Sequence, residues 1–194
     1  MASEVYWTLL GLVIERPSYG MGLYRRYERM YGDVLPVSEA SHIYRGLTEL
    51  LERGYVREMA APRAAVAGMG RQPKPHYHAT ALGVRSYTDW LVDQVDVERK
   101  RQALWVRQLS TFIDEPSTAL QVLGLYQSKC LGYAGKAGEP RDDVAAGSRE
   151  EMIERLVARR QRLVLGGQLS WLKHAISTFE ARAGSLARDD SAGV

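Results

Sequence analysis

The sequence predicts a mainly α-helical protein with one short β-hairpin, on three observations. Apolar residues recur at helical spacing through most of the 194 residues, strand-like alternation is confined to two short stretches near 55–59 and 75–80, and beyond Thr80 the helical runs become much longer. The chain divides accordingly into an N-terminal domain at 1–83, a helical domain at 84–184 with a linking helix at 84–113, and a disordered tail at 185–194.

In the first helix Val5, Leu9, Leu12 and Val13 share one face, and Arg16-Pro17 ends it because the residue before proline is pushed out of the helical region. Residues 18–31 repeat the pattern with Leu23, Tyr27, Met30 and Tyr31, closed by Gly32-Asp33. The third helix takes Ser38 as its expected N-cap, buries Ile43, Leu47, Leu50 and Leu51, and stops at Gly54.

Tyr55 to Met59 and Pro75 to Thr80 are the two strands. Between them lies a connection rich in Gly, Pro and small residues, longer than an ordinary hairpin turn, which reads as a basic tip. Three short helices followed by a two-stranded hairpin is the element order of a winged helix-turn-helix.

After Thr80, Leu91, Val95, Trp105, Leu109 and Phe112 fall in one arc of a long helix, while Trp90, Val97 and Leu104 repeat every seven residues on another side. A helix with two apolar sides has two partners, its own chain and a second subunit. A further helix spans 116–136 with Leu120, Leu123, Cys130, Leu131 and Ala134 inward. Ser148 and Glu151 form a capping box that opens the next, Gly166-Gly167 is expected to kink or break it, and Leu169, Leu172, Ile176 and Phe179 make a terminal stripe.

Composition narrows the function. With 45% hydrophobic and 25% charged residues the chain is an ordinary globular protein, and its length allows about 70% of the unfolded surface to be buried. Cys130 is the sole cysteine, so a disulfide within the chain and a cysteine-based metal site are excluded; its place in an apolar stripe argues for a small buried residue rather than a redox sensor. The opening MASEVYWTLL lacks the marks of a secretory signal and no apolar run reaches about 18 residues, so a cytoplasmic location is expected. His76 and His78 alternate on a strand without a third ligand at suitable spacing, and no metal or cofactor is expected. No phosphate-binding loop, nucleophile elbow, zinc-protease helix or paired-carboxylate motif is present, which points away from an enzyme.

The net charge of +3 is too small to identify a partner, but its distribution says more. Residues 1–80 carry ten Lys and Arg against eight Asp and Glu, and 57–74 alone holds Arg57, Arg63, Arg71 and Lys74 against Glu58. On the third helix Ser41, His42, Tyr44, Arg45 and Thr48 lie away from the leucine stripe, with Ser38 just ahead of them. Donors and acceptors clustered in the first turns are what a recognition helix presents to base edges, and cations on a hairpin tip are what it presents to phosphates. An ordinary solvated face and a solvated basic loop are the plainer accounts of the same residues. A winged helix that binds another protein is the alternative function, to which the modest charge lends weight.

The runs LLGLVIERPSYGMGLYRR, SHIYRGLTELLERGYV and GRQPKPHYHATALG resemble the PadR family of bacterial transcriptional regulators. The resemblance covers Val5 to Gly83; beyond it only the helical pattern and the Leu169 to Phe179 segment are similar. It implies a homodimer held by the C-terminal helices and the helix after the wing, with Trp90, Val97, Leu104, Leu169, Leu172 and Ile176 at the interface. It also implies a pseudo-palindromic operator, most often for repression of a neighbouring gene or its own, and Tyr44 and Tyr77 as the family's recognition-helix and wing-exit tyrosines. Many members bind planar aromatic or phenolic effectors, which points to Tyr87, Trp90 and Gln94; an interface anchor is the equal alternative for Trp90. The wing is longer than the family's usual one, which leaves open which of Arg63, Arg71 and Lys74 reach DNA.

Overall fold

The computed structural model describes residues 4–60, 74–136 and 148–192. The chain forms two compact units, Met1–Arg99 and Lys100–Val194.

The first unit contains α1 (Glu4–Glu15), α2 (Gly20–Tyr31), α3 (Ala40–Glu52), β1 (Val56–Met59), β2 (His76–Ala79) and the start of α4 (Ala81–Leu109). It is a winged helix-turn-helix. Its core joins Tyr6, Leu9, Leu10, Leu12 and Val13 of α1 to Leu23 and Tyr27 of α2 and to Ile43, Leu47 and Leu50 of α3, as the spacing predicts. α1 and α3 approach closely at Gly46, where a methyl group would stand 3.1 Å from Cδ2 of Leu9.

α3 ends in a Schellman motif: the Tyr55 amide donates to the Leu50 carbonyl at 2.9 Å and the Gly54 amide to that of Leu51 at 2.9 Å. Gly54 has φ +69°, where a side chain is strained. β1 and β2 are antiparallel, with Val56 opposite Ala79 and Met59 opposite His76. On the other side of β2 the Tyr77 amide donates to the Ser18 carbonyl at 3.0 Å, so the chain between α1 and α2 adds a third, minimal rung.

Thr80 ties the wing to both flanking helices. Its hydroxyl donates to the Gly54 carbonyl at 2.7 Å and accepts from the Gly83 amide at 3.0 Å, which makes it the N-cap of α4. The linking helix therefore spans 81–109 rather than 84–113; a short 3-10 turn at Ser110–Phe112 follows it.

In the second unit the end of α4 packs with α5 (Pro116–Lys136) and α6 (Arg149–Ala192) around Leu109, Ala119, Leu123, Cys130, Leu172 and Ala175. Trp105 lies 4.8 Å from the Tyr126 ring and 5.3 Å from that of Trp171. The expected capping box is formed, with Ser148 N–H donating to Glu151 Oε2 at 2.8 Å and Glu151 N–H to Ser148 Oγ at 3.3 Å.

Two expectations fail in α6. The helix passes through Gly166-Gly167 without a break, because a flanking leucine-rich stripe packs on the core and outweighs the roughly 1 kcal/mol that each glycine costs a helix. It also continues to Ala192, so 185–192 is helical rather than a disordered tail: the segment has good helix formers and no proline to stop it. No described helix is long and apolar enough to cross a membrane.

Candidate nucleic-acid interface

α3 carries the two faces that its sequence predicts. Ile43, Leu47 and Leu50 are buried, and Ser41, Tyr44, Arg45 and Thr48 are exposed on the other side, with His42 half-buried. Thr48 turns its hydroxyl back onto the Tyr44 carbonyl at 3.1 Å. The Tyr44 ring, 43% exposed, lies against the first residue of α2: a methyl group on Gly20 would come within 2.5 Å of its Cε1. Gly20 is thus the seat that lets an exposed aromatic ring cross from α3 to α2.

The N-terminus of α3 differs from expectation. Ser38 does not cap it; its Oγ lies 3.5 Å from Nε2 of His42. Glu39 holds the N-cap position in an extended conformation without capping a backbone amide, and its Oε2 accepts from the Ser41 hydroxyl at 3.1 Å. The chain turns into the helix one residue later than the serine, which takes the Ser38 hydroxyl away from the first-turn amides.

At the base of the wing Lys74 is placed by an aromatic neighbour. Its Nζ stands 5.6 Å from the ring centroid of Tyr19, and that ring is 6.0 Å from His76. Arg63 and Arg71, the other two expected phosphate contacts, lie outside the described residues. Tyr77, the expected wing-exit tyrosine, is 9% exposed and packs on the three-helix core, because β2 turns alternate residues inward. Burial first, then the nearby Glu58 carboxylate, push its hydroxyl pKa up.

The expected effector residues face their own unit. Trp90 stacks on Trp7 with centroids 5.4 Å apart, and Tyr87 lies 5.7 Å from Trp90 with its hydroxyl against Gly11. Burial raises the Tyr87 pKa. Gln94 donates from Nε2 to the Trp90 carbonyl at 3.0 Å. In the second unit Trp105, Val122, Leu125, Tyr126, Ser128 and Lys129 line an open groove of about 580 Å³.

Of the expected subunit contacts, Val97 and Leu104 are exposed. Leu172 is fully buried in its own unit, and Leu169 and Ile176 pack on the same core. That stripe closes the second unit, because α6 must bury one face against α5 before it can offer another. The exposed large apolar residues of α6 lie earlier, among them Met152, Leu156 and Leu163, and α5 exposes Leu125 and Leu131.

Sequence reasoning missed four residues here: Trp7, Tyr19, Arg26 and Glu39. Arg26 is buried and holds the end of α1, donating to the carbonyls of Leu12 at 3.1 Å and Arg16 at 2.9 Å and to Glu15 Oε2 at 2.9 Å. Its signal was present, since an arginine at 26 falls on the same side of α2 as Leu23 and Tyr27.

No family model matches the sequence, and no curated protein matches it. Among solved structures, the chain is similar to Bacillus subtilis PadR in complex with operator DNA, at 17% identity and a TM-score of 0.45 over 91% of this chain and 99% of that one. It is also similar to a transcriptional regulator from Clostridium thermocellum, at 19% identity and a TM-score of 0.41 over 53% of this chain and 97% of the other. A PadR family transcriptional regulator from Eggerthella lenta is similar at 20% identity and a TM-score of 0.40, covering 52% and 80%.

Proposed function

We propose that the chain is a sequence-specific DNA-binding transcriptional regulator of the PadR type, a cytoplasmic repressor that binds a pseudo-palindromic operator as a homodimer and has no catalytic role. The observation that carries this reading is the division of α3 into a buried leucine face and an exposed face of Ser41, Tyr44, Arg45 and Thr48. Such a face fits the major groove, where Arg is suited to guanine and hydroxyls to several bases, and Lys74 is suited to the phosphates beside it.

The homodimer is supported by apolar surface that one chain leaves open. Val95 is 70% exposed on α4 and Leu163 64% on α6, alongside Val97, Leu104, Met152 and Leu156, more than scattered surface residues account for. A two-fold dimer reads two half-sites of opposite orientation, hence the palindrome. A planar aromatic effector belongs to the same reading: bound at Tyr87, Trp90 and Gln94, it would compete for the Trp90 ring with Trp7.

Titration of the protein onto operator and random duplexes across a salt series tests the proposal. Affinity should fall steeply with salt, with the operator preferred throughout. The second reading, a winged helix that binds protein, is favoured by the Glu39 carboxylate on the otherwise neutral and basic tip of α3. It predicts weak binding to both duplexes and no preference between them.

A further inference from the structure

Glu39 is the acid among the exposed side chains that open α3, beside Ser41, Tyr44 and Arg45. A carboxylate facing a polyanion is repelled by phosphates, so its place at a groove-facing tip needs a compensating contact. Its backbone, at φ −153° and ψ 153°, is extended as an N-cap residue's is, and its exposed carboxylate lies over the first turn beside Ser41. It caps no amide, and Ser41 engages one oxygen at 3.1 Å. An ionised carboxylate is acceptor-only and has about four lone-pair sites, so acceptor capacity remains after the Ser41 hydroxyl is served.

In the major groove the donor edge that suits a pure acceptor is the amino group of cytosine; guanine and thymine present acceptors there, and adenine pairs its amino group with an acceptor at N7. We infer that Glu39, positioned by Ser41, reads one cytosine in each operator half-site and at the same time discourages binding to other DNA. This rests on the DNA-reading function proposed above. The carboxylate loses affinity for every duplex through phosphate repulsion and regains it only where a cytosine amino group meets it. Discrimination rises as total affinity falls.

Selection of bound duplexes from a random pool, with the full-length chain, tests this. The wild type should enrich a motif with cytosine at one position in each half-site. Glu39→Gln, which adds a donor to the acceptor, should move that position toward adenine, with a change in relative preference of about fivefold or more. Glu39→Ala should relax the position and strengthen binding to random duplex, and Ser41→Ala should blur the cytosine preference without exchanging it for adenine. Identical motifs for wild type and both Glu39 variants, with uniformly higher affinity in the variants, would overturn the inference and leave the DNA-binding function standing. No motif with the wild type would overturn both.

Discussion

The indole rings of Trp7 and Trp90 stack with their centroids 5.4 Å apart and their planes 10° from parallel. One ring comes from α1 and the other from α4, and Tyr55 lies 6.1 Å from Trp7. The beginning of the long helix is therefore part of the winged unit. Trp90→Ala should lower unfolding stability by roughly 2–3 kcal/mol, less than a fully buried tryptophan because the ring is half-buried. Urea titration measures the loss, and the near-ultraviolet circular dichroism of the stacked pair should vanish with it.

Arg26 acts as an internal clasp for the end of α1. Arg26→Ala should cost about 2–4 kcal/mol, because two buried or half-buried backbone carbonyls lose a charged donor and Glu15 loses an ion pair. Lysine should recover little of this, since one ammonium cannot span Leu12, Arg16 and Glu15 as the planar guanidinium does. Thermal unfolding of the two variants side by side checks both expectations.

Gly20 and Gly54 separate two reasons for having a glycine. Gly54→Ala should destabilise by about 1 kcal/mol, as expected for φ +69°. Gly20→Ala sits in ordinary helical backbone, so stability should change little while the methyl group displaces the Tyr44 ring. Its effect should appear in operator affinity, read by mobility shift, with the melting temperature nearly constant.

Arg45→Ala and Lys74→Ala should differ in kind. On the proposed DNA-reading function, loss of Arg45 should cost roughly 1–3 kcal/mol on the operator and little on random duplex, whereas loss of Lys74 should weaken both alike and reduce the salt slope by about one. Equal losses on both duplexes for Arg45→Ala would remove it from base reading.

Alkaline pH should unfold the winged unit through its buried tyrosines. Burial pushes the Tyr6 and Tyr27 pKa values from 10.0 up to about 12. Below pH 10 both folded and unfolded forms keep the phenol proton. Between 10 and 12 the unfolded chain loses it first, so stability falls by roughly 2–3 kcal/mol for each tyrosine across that window. Tyr27→Phe gives up the 2.7 Å hydrogen bond to the Leu35 carbonyl but should flatten the decline. Denaturation midpoints across that range, followed with tyrosinate absorbance, measure it.

Helical periodicity made the three-helix core legible, since Leu9, Leu23, Ile43 and Leu47 have to meet if their stripes are to be buried. The exposed face of α3 was legible for the same reason, as the complement of that stripe. Periodicity is silent about partners distant in sequence: it placed Trp90 on a second apolar side but could not say that Trp7 covers it. It gave Leu172 a place in a terminal stripe, which the family resemblance assigned to a second subunit, but a stripe looks the same whether α5 or another chain buries it. The inward turn of Tyr77 follows from strand alternation, on which family likeness is silent.

The small sheet has consequences for how copies of the chain meet. β2 is occupied on both sides, by β1 and by the backbone at Ser18, so among the described residues the outer side of β1 is the only open strand edge. It is four residues long and carries Arg57 and Glu58 in succession. A short, charged edge resists edge-to-edge pairing. Strand exchange between copies is therefore disfavoured at the described sheet, whose one open edge is short and carries opposite charges side by side.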